Sequence, residues 1–282
     1  MWMKWIAMIG VLIIVCLGLA AIYGSYRWQS NTDNLRAKLI NGRRTIKPQI
    51  YEQKEIEGLP DPVQRFFRTV LKDGQAIASA VKLSQQGQFN MSETEDKWSP
   101  FTATQLVMTQ RPGFDWDARI QMAPGVNAFV HDTYLLGEGS LHASLLGLFT
   151  VAKMHGAPEN NQGELLRFFA ETTWYPTALL PSQGVLWEAI DDTSARATLT
   201  DGATTVSLVF QFNAEGAIAT CRAEARYRDK LTAMPWVGRF WEYSVRNGML
   251  IPLEGEVGWE YPEGTRLYFK GRTTEIHYEF AS

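Results

Sequence analysis

Arg167 and Glu171 stand four positions apart in the string GELLRFFAETTWYPTALL, residues 163–180. That spacing sets a guanidinium and a carboxylate side by side on one face of a helix. Such a pair can close on itself as a structural ion pair, or it can offer a polar edge to a head group at the mouth of an apolar cavity. The neighbouring residues are apolar nearly all round the helix, so the first role is expected to lead and ligand contact to come second. Phe168 lies between the two charges, and Trp174, Trp187 and Trp236 are the aromatic side chains expected to wall such a cavity. These six residues are the candidate ligand-binding set.

The rest of the chain offers little chemistry. Its four histidines are His131, His142, His155 and His277, and none belongs to an HExxH or cysteine-histidine set. His131 shares a strand face with Phe129 and Thr133 and reads as an ordinary strand histidine. It cannot pair with Asp132, because neighbouring strand residues point to opposite faces. No GxSxG elbow, phosphate-binding GxxxxGK[ST] loop or GxGxxG turn between strand and helix occurs, so no metal, nucleotide or other cofactor is expected. Paired carboxylates of the glycosidase kind can hide among the 30 acidic residues. The net charge of −3 gives no broad basic field, which argues against nucleic acid as a partner.

The helix at 163–173 carries apolar residues over most of its circumference and must be enclosed. Around it the period is two. Phe114, Trp116, Ala118, Ile120 and Met122 alternate with Asp115, Asp117, Arg119 and Gln121, the pattern of a strand with one face in water. Further strands are expected at 79–91, 101–110, 126–136, 140–151, 185–191, 195–200, 204–213, 217–228, 239–245, 254–261 and 265–280. Short turns such as Pro124-Gly125, Asp201-Gly202 and Asn247-Gly248 imply antiparallel pairing. The fold class is therefore mainly β within α+β: a curled antiparallel meander, or half-barrel, of ten to twelve strands enclosing one central helix. A second helix, at 61–73, is amphipathic, with Asp61 as N-cap, Pro62 at its first position and Gly74 at its stop.

Residues 5–24 run without a charge for about 30 Å as a helix, the thickness of a bilayer core, and Trp2, Trp5, Tyr23, Tyr26 and Trp28 flank them as interfacial aromatics do. An N-terminal single-pass anchor in the cell (inner) membrane is expected. The run exceeds a signal peptide's apolar core and ends in no A-x-A site, and Val15 is too large to precede a lipidated Cys16. Arg27, Arg36, Lys38, Arg43, Arg44 and Lys47 follow the span, a bias that would keep the rest of the chain in the cytoplasm, but several lie far from it, so the side stays open. Cys16 falls in the apolar run, leaving Cys221 alone beyond it and no disulfide there. The expected organisation is anchor 1–28, polar tether 29–58 with some helix near 34–40, and a single β-rich domain 59–282.

The wording of WSPFTATQ, RPGFDWDA, GELLRFFAETTWYPTALLPSQGVLWEAIDDTSARATL, MPWVGRFWEY and GMLIPLEGEVGW resembles an uncharacterised prokaryotic family, domain of unknown function 6544, over residues 59–280. The resemblance implies a membrane-anchored or exported domain and supplies no catalytic residue. In architecture alone the chain is also similar to the half-barrels of the bacterial lipoprotein-carrier class, which implies an apolar cavity under a curved sheet. Binding of a lipid or other hydrophobic ligand is the leading expectation. The alternatives are an envelope-associated hydrolase using carboxylates and a structural protein-interaction module. A measured cavity separates them.

Overall fold

The computed structural model describes residues 2–44, 49–228 and 231–280. Lys47, counted above among the flanking charges, lies outside them, as do residues 45–48 of the expected tether. Helix α1 (Trp2–Asn41) is followed by a single turn at Gln53–Ile56 and by helix α2 (Asp61–Val70). Six strands come next: β1 (Ala78–Asn90), β2 (Trp98–Met108), β3 (Gly113–Ala123), β4 (Val126–Leu135), β5 (Glu138–Leu145) and β6 (Phe149–His155). Helix α3 (Pro158–Glu171) and three short turns lead to β7 (Leu186–Asp191), β8 (Ser194–Asp201), β9 (Thr204–Phe212) and β10 (Ile218–Tyr227). The chain closes with β11 (Ala233–Arg246), β12 (Met249–Tyr261) and β13 (Gly264–Phe280).

All thirteen strands form one antiparallel sheet in the order β6-β5-β4-β3-β2-β1-β13-β12-β11-β10-β9-β8-β7. Each strand lies beside its sequence neighbour, and pairing of β1 with β13 joins the two halves. The two edges, β6 and β7, are the strands that α3 connects. The sheet curls round that helix: α3 touches β4 and β5 from one half and β9 and β10 from the other. Tyr134 Oη on β4 donates to Asp201 Oδ2 at the end of β8 at 2.9 Å, tying the halves together below it. Tyr134's hydroxyl is held above its usual pKa by burial and by the Asp201 charge.

Phe168 and Phe169 are both buried, as a helix apolar nearly all round requires. The thirteenth strand arises because residues 140–151 form two strands instead of one. The turn between them uses Leu146 and Gly147, both at positive φ (54° and 70°). It sits inside the string SLLGLFTV, where no Asn, Asp or Pro marks it.

The expected tether is also different. Residues 29–41 continue α1 without a break and lie on the outer face of β2, β3 and β4. Trp28, Thr32 and Leu39, spaced by four and seven, are buried there. The first half of β3's polar face therefore does not meet water: Asp115 and Asp117 are covered by α1, while Gln121 further along stays exposed. Residues 2–23 leave the sheet, and α1 is the one described helix long and apolar enough to cross a bilayer.

Candidate functional site

Between α3 and the concave face of the sheet lies a cavity of about 1180 Å³. Trp116 and Ile120 from β3, Val130 from β4, Trp236 and Phe240 from β11 and Trp259 from β12 line it. The helix contributes polarity. Asn160, Glu164, Arg167 and Glu171 recur at i, i+4, i+7 and i+11, so they form one stripe along α3, and all four face the cavity. Leu165, Leu166, Phe168 and Phe169 fill the other side and are buried in the core. The helix is thus less uniformly apolar than its composition suggests, with its polar stripe aimed at the space it encloses.

Arg167 is the centre of the floor. Its Nε donates to Glu171 Oε1 at 2.9 Å and its Nη1 to Asp132 Oδ2, while its guanidinium lies 5.0 Å from the Phe114 ring and 4.8 Å from the Trp116 ring. Burial works against its charge, but Glu171, Asp132 and Glu164 outweigh it and hold the guanidinium ionised. Gln105 Nε2 donates to the other Glu171 oxygen at 2.5 Å. A second cation, Arg226 from β10, gives its Nε to Gly163 O at 3.2 Å and its Nη1 to Tyr268 Oη at 3.0 Å, and lies over the Trp236 ring. Its Nη2 is 3.9 Å from Glu164 Oε1. Glu164 itself is pushed well above the usual carboxyl range, first by burial and then by the Asp132 charge, which outweigh the Arg226 and Arg167 cations.

Four of the six residues named from sequence come together here: Arg167, Glu171, Trp174 and Trp236 line the cavity. Phe168 does not. It faces the core, 5.9 Å from Tyr175, because it follows Arg167 by one position and so points about 100° round the helix. Trp187 does not either: it packs against Phe67, Phe210 and Phe212 and donates from Nε1 to Leu179 O at 3.0 Å. Glu164 had a signal in the i, i+4, i+7 spacing. Asp132 had none, since its approach to Arg167 depends on how β4 is placed against α3.

His131 sits in a buried polar network on the outer face of the sheet. Its Nδ1 is 2.8 Å from Asp115 Oδ1 and its Nε2 is 3.1 Å from Thr32 Oγ1, which lies 3.0 Å from Asp117 Oδ2. The order hydroxyl, imidazole, carboxylate resembles a nucleophile with its base. Yet Thr32, His131 and Asp115 are each at most 2% exposed, on the outer face beneath α1, with no room for a substrate. Burial pushes the Asp117 carboxyl up, but Arg119, His131 and the Trp28 indole outweigh it and hold it below the usual range. None of the four histidines lines the cavity. Among the described residues no group of His, Cys, Asp and Glu converges as a metal site.

The cavity opens at a definite end of the sheet. Gly24 lies against the β5–β6 turn, so close that a Cβ there would meet Leu146 O at 2.2 Å, and Arg27 Nη2 donates to Gly147 O at 3.0 Å. Gly42 lies against Leu136 in the β4–β5 turn at the opposite end. The cavity is lined by Met91 and Glu93 of the β1–β2 loop, Met122, Leu145 and Val151, all at the end from which residues 2–23 project. The β1–β2 loop reaches over the mouth, where Arg228 pairs with the Glu93 carboxylate and Arg266 Nη1 donates to Glu93 O at 3.2 Å.

A single curled antiparallel sheet round one helix, with a largely apolar cavity between them, defines an open half-barrel β-protein. The chain belongs to the family of unknown function DUF6920, whose model matches residues 57–278. That match is to a different family from domain 6544, which the motif wording suggested. No curated protein matches the sequence. Among solved structures the chain is similar to a LolA superfamily protein from Nitrosomonas europaea, with 9% identity, a TM-score of 0.42 and coverage of 76% of this chain and 90% of that one. It is also similar to a β-barrel-like protein of domain of unknown function DUF1849 from Brucella abortus, with 11% identity, a TM-score of 0.18 and coverage of 72% and 99%.

Proposed function

We propose that this protein is a membrane-tethered binding domain that holds a lipid or other hydrophobic molecule between α3 and the curled sheet. In this reading residues 5–24 are the anchor, in the cell (inner) membrane, and the sheet with its helices is a single β-rich domain. The observation that carries it is the cavity: about 1180 Å³, beyond the usual range for a ligand pocket, walled by Trp and aliphatic side chains and open where α1 leaves the sheet. A long-chain amphiphile leaving a bilayer would meet that mouth first.

The hydrolase alternative draws on Asp132 and Glu164, two carboxyls in one cavity. Each lies against a guanidinium, Asp132 against Arg167 and Glu164 3.9 Å from Arg226, which suits a structural charge network rather than a free acid–base pair flanking a scissile bond. The binding reading is therefore preferred.

The test is native mass spectrometry of the full chain released from lipid nanodiscs, compared with Ala143→Trp. Ala143 lines the cavity, and an indole there would occupy much of it. Co-retained lipid on the unaltered protein that is lost in Ala143→Trp, with equal thermal unfolding, supports the proposal. Equal lipid retention by both proteins, or none by either, overturns it.

A further inference from the structure

The floor of the cavity has an imbalance of hydrogen-bonding groups. Three carboxylates, Asp132, Glu164 and Glu171, face two guanidiniums, Arg167 and Arg226. Both guanidiniums are already engaged, with Glu171 and Asp132 for the first and with Gly163 O and Tyr268 Oη for the second. Asp132 Oδ1 and Glu164 Oε2, by contrast, are buried and no donor reaches either. Each guanidinium already has a carboxylate against it, so an anionic head group meets no unneutralised cation at this depth. A donor finds two free acceptors on adjoining carboxyls. Buried acceptors without partners are costly, so the pair must take up either a proton or a donor from a ligand.

One proton settles the pair in the absence of a ligand. With Glu164 protonated it can donate to Asp132, and the floor is then neutral: Asp132 and Glu171 against Arg167 and Arg226. Replacing that proton by a cation on the ligand keeps the same charge balance. The ammonium takes the place between the two carboxyls and Glu164 releases its proton to water, so no net charge enters the cavity.

Resting on the binding function proposed above, we infer that Asp132 and Glu164 form the head-group site of the cavity and that it takes a primary amine at the end of a long apolar chain, in preference to a carboxylate or phosphate. The walls hold the chain. Asn160 Nδ2, one turn before Glu164 on the same face of α3 and also buried without a partner, offers a donor to an oxygen next to the amine.

The full chain in phosphatidylcholine nanodiscs doped with equal amounts of oleylamine, oleyl alcohol and oleic acid tests this by native mass spectrometry. The ratio of oleylamine to oleic acid retained by the unaltered protein is expected to exceed that of Glu164→Gln by about tenfold, since an amide neither ionises nor accepts an ammonium as a carboxylate does. Glu164→Asp, which keeps the charge, should restore part of the preference, and a structural role alone would not show this. Equal ratios in the unaltered protein and Glu164→Gln overturn the head-group assignment while leaving the binding function standing. Retention of none of the three chains overturns both.

Discussion

Trp28 of α1 lies flat on His131 of β4, with ring centroids 4.5 Å apart and planes 15° from parallel. Its indole Nε1 donates to Asp117 Oδ1 at 2.8 Å. One turn on, Thr32 reaches both Asp117 and His131, and one turn further Arg36 Nε donates to Asp115 Oδ2 at 2.8 Å. Helix α1 is thus joined to the sheet by a buried polar seam with directional bonds. Such a seam sets the angle and the axial position of the helix, which a purely apolar contact would leave free to slide.

Asp115 is the residue on which that seam depends. It is fully buried and holds both His131 Nδ1 and Arg36. Asp115→Ala leaves the buried His131 Nδ1 without its acceptor, frees the partly exposed Arg36 and empties a fully buried position, and is expected to cost about 3–5 kcal/mol in urea unfolding. Arg36→Gln removes a partly exposed partner while His131 still holds the other Asp115 oxygen and solvent can reach the vacated one, so it should cost about 1 kcal/mol. Equal costs for the two would mean that the seam is open to solvent.

On the cavity side, Arg167 is expected to show coupling to both of its carboxylate partners. Arg167→Leu strands Asp132 and Glu171 and should cost about 3–5 kcal/mol, whereas Arg167→Leu with Glu171→Leu should cost less than the sum of the two single changes. A double-mutant cycle on thermal unfolding measures this. Additive single losses below about 1 kcal/mol would show solvated charges.

Two carboxyls give the pH profile opposite slopes. Glu164 is raised in the folded state, so the folded chain holds a proton that the unfolded chain releases. Its contribution is fully present below the ordinary carboxyl range and is lost as pH rises towards its folded value, at about 1.4 kcal/mol per pH unit within that window. Asp117 is lowered, so its contribution is present above the ordinary range and is lost as pH falls through its folded value. In unfolding free energies measured across pH, Glu164→Gln should remove a decline with rising pH and Asp117→Asn a decline on acidification. Profiles parallel to the unaltered protein would contradict both assignments.

How much of this was legible in the sequence depends on the range over which each feature is fixed. Strands and most turns followed from period-two alternation and X-Gly pairs, which are local. The turn at Leu146-Gly147 was missed because its signal was one glycine in an apolar string. Arg167 with Glu171 was legible because i,i+4 geometry needs only a helix. Asp132 was not, since it approaches Arg167 from β4, across the cavity. The seam was hidden for a related reason: Asp115 and Asp117 alternate as residues of a solvated face do, and only the course of α1 over β3 shows that they are buried. Trp187 was misplaced because an aromatic residue type does not tell core from cavity: it packs on Phe210, which Phe169 of α3 also meets, behind the helix rather than in the space before it.

The end of the sheet bearing the β5–β6 turn is expected to meet lipid head groups, with the β4–β5 turn held away from them. Phe149 and Val151 are 66% and 64% exposed on β6, beside the turn that Gly24 and Arg27 touch, and residues 5–24 end at that level. Exposed apolar side chains next to a membrane span are stabilised by entering the interface, where aromatic rings are favoured. The polar seam keeps α1 from swinging, so the geometry should persist in a bilayer. A Cys16→Ser background leaves Cys221 as the remaining cysteine. It is buried, and burial pushes its thiol up to about 12, so it should resist labelling. In that background a fluorophore at Phe149→Cys should be quenched strongly by head-group nitroxide lipids, and one at Glu138→Cys, the first residue of β5 beside the β4–β5 turn, hardly at all. Phe149→Asp with Val151→Asp should lower lipid retention without shifting thermal unfolding, because both side chains are already in water when no membrane is present. Equal quenching at the two positions would show that the cavity mouth does not face the bilayer, and a chain recovered wholly in the soluble fraction would show instead that the anchor is not retained.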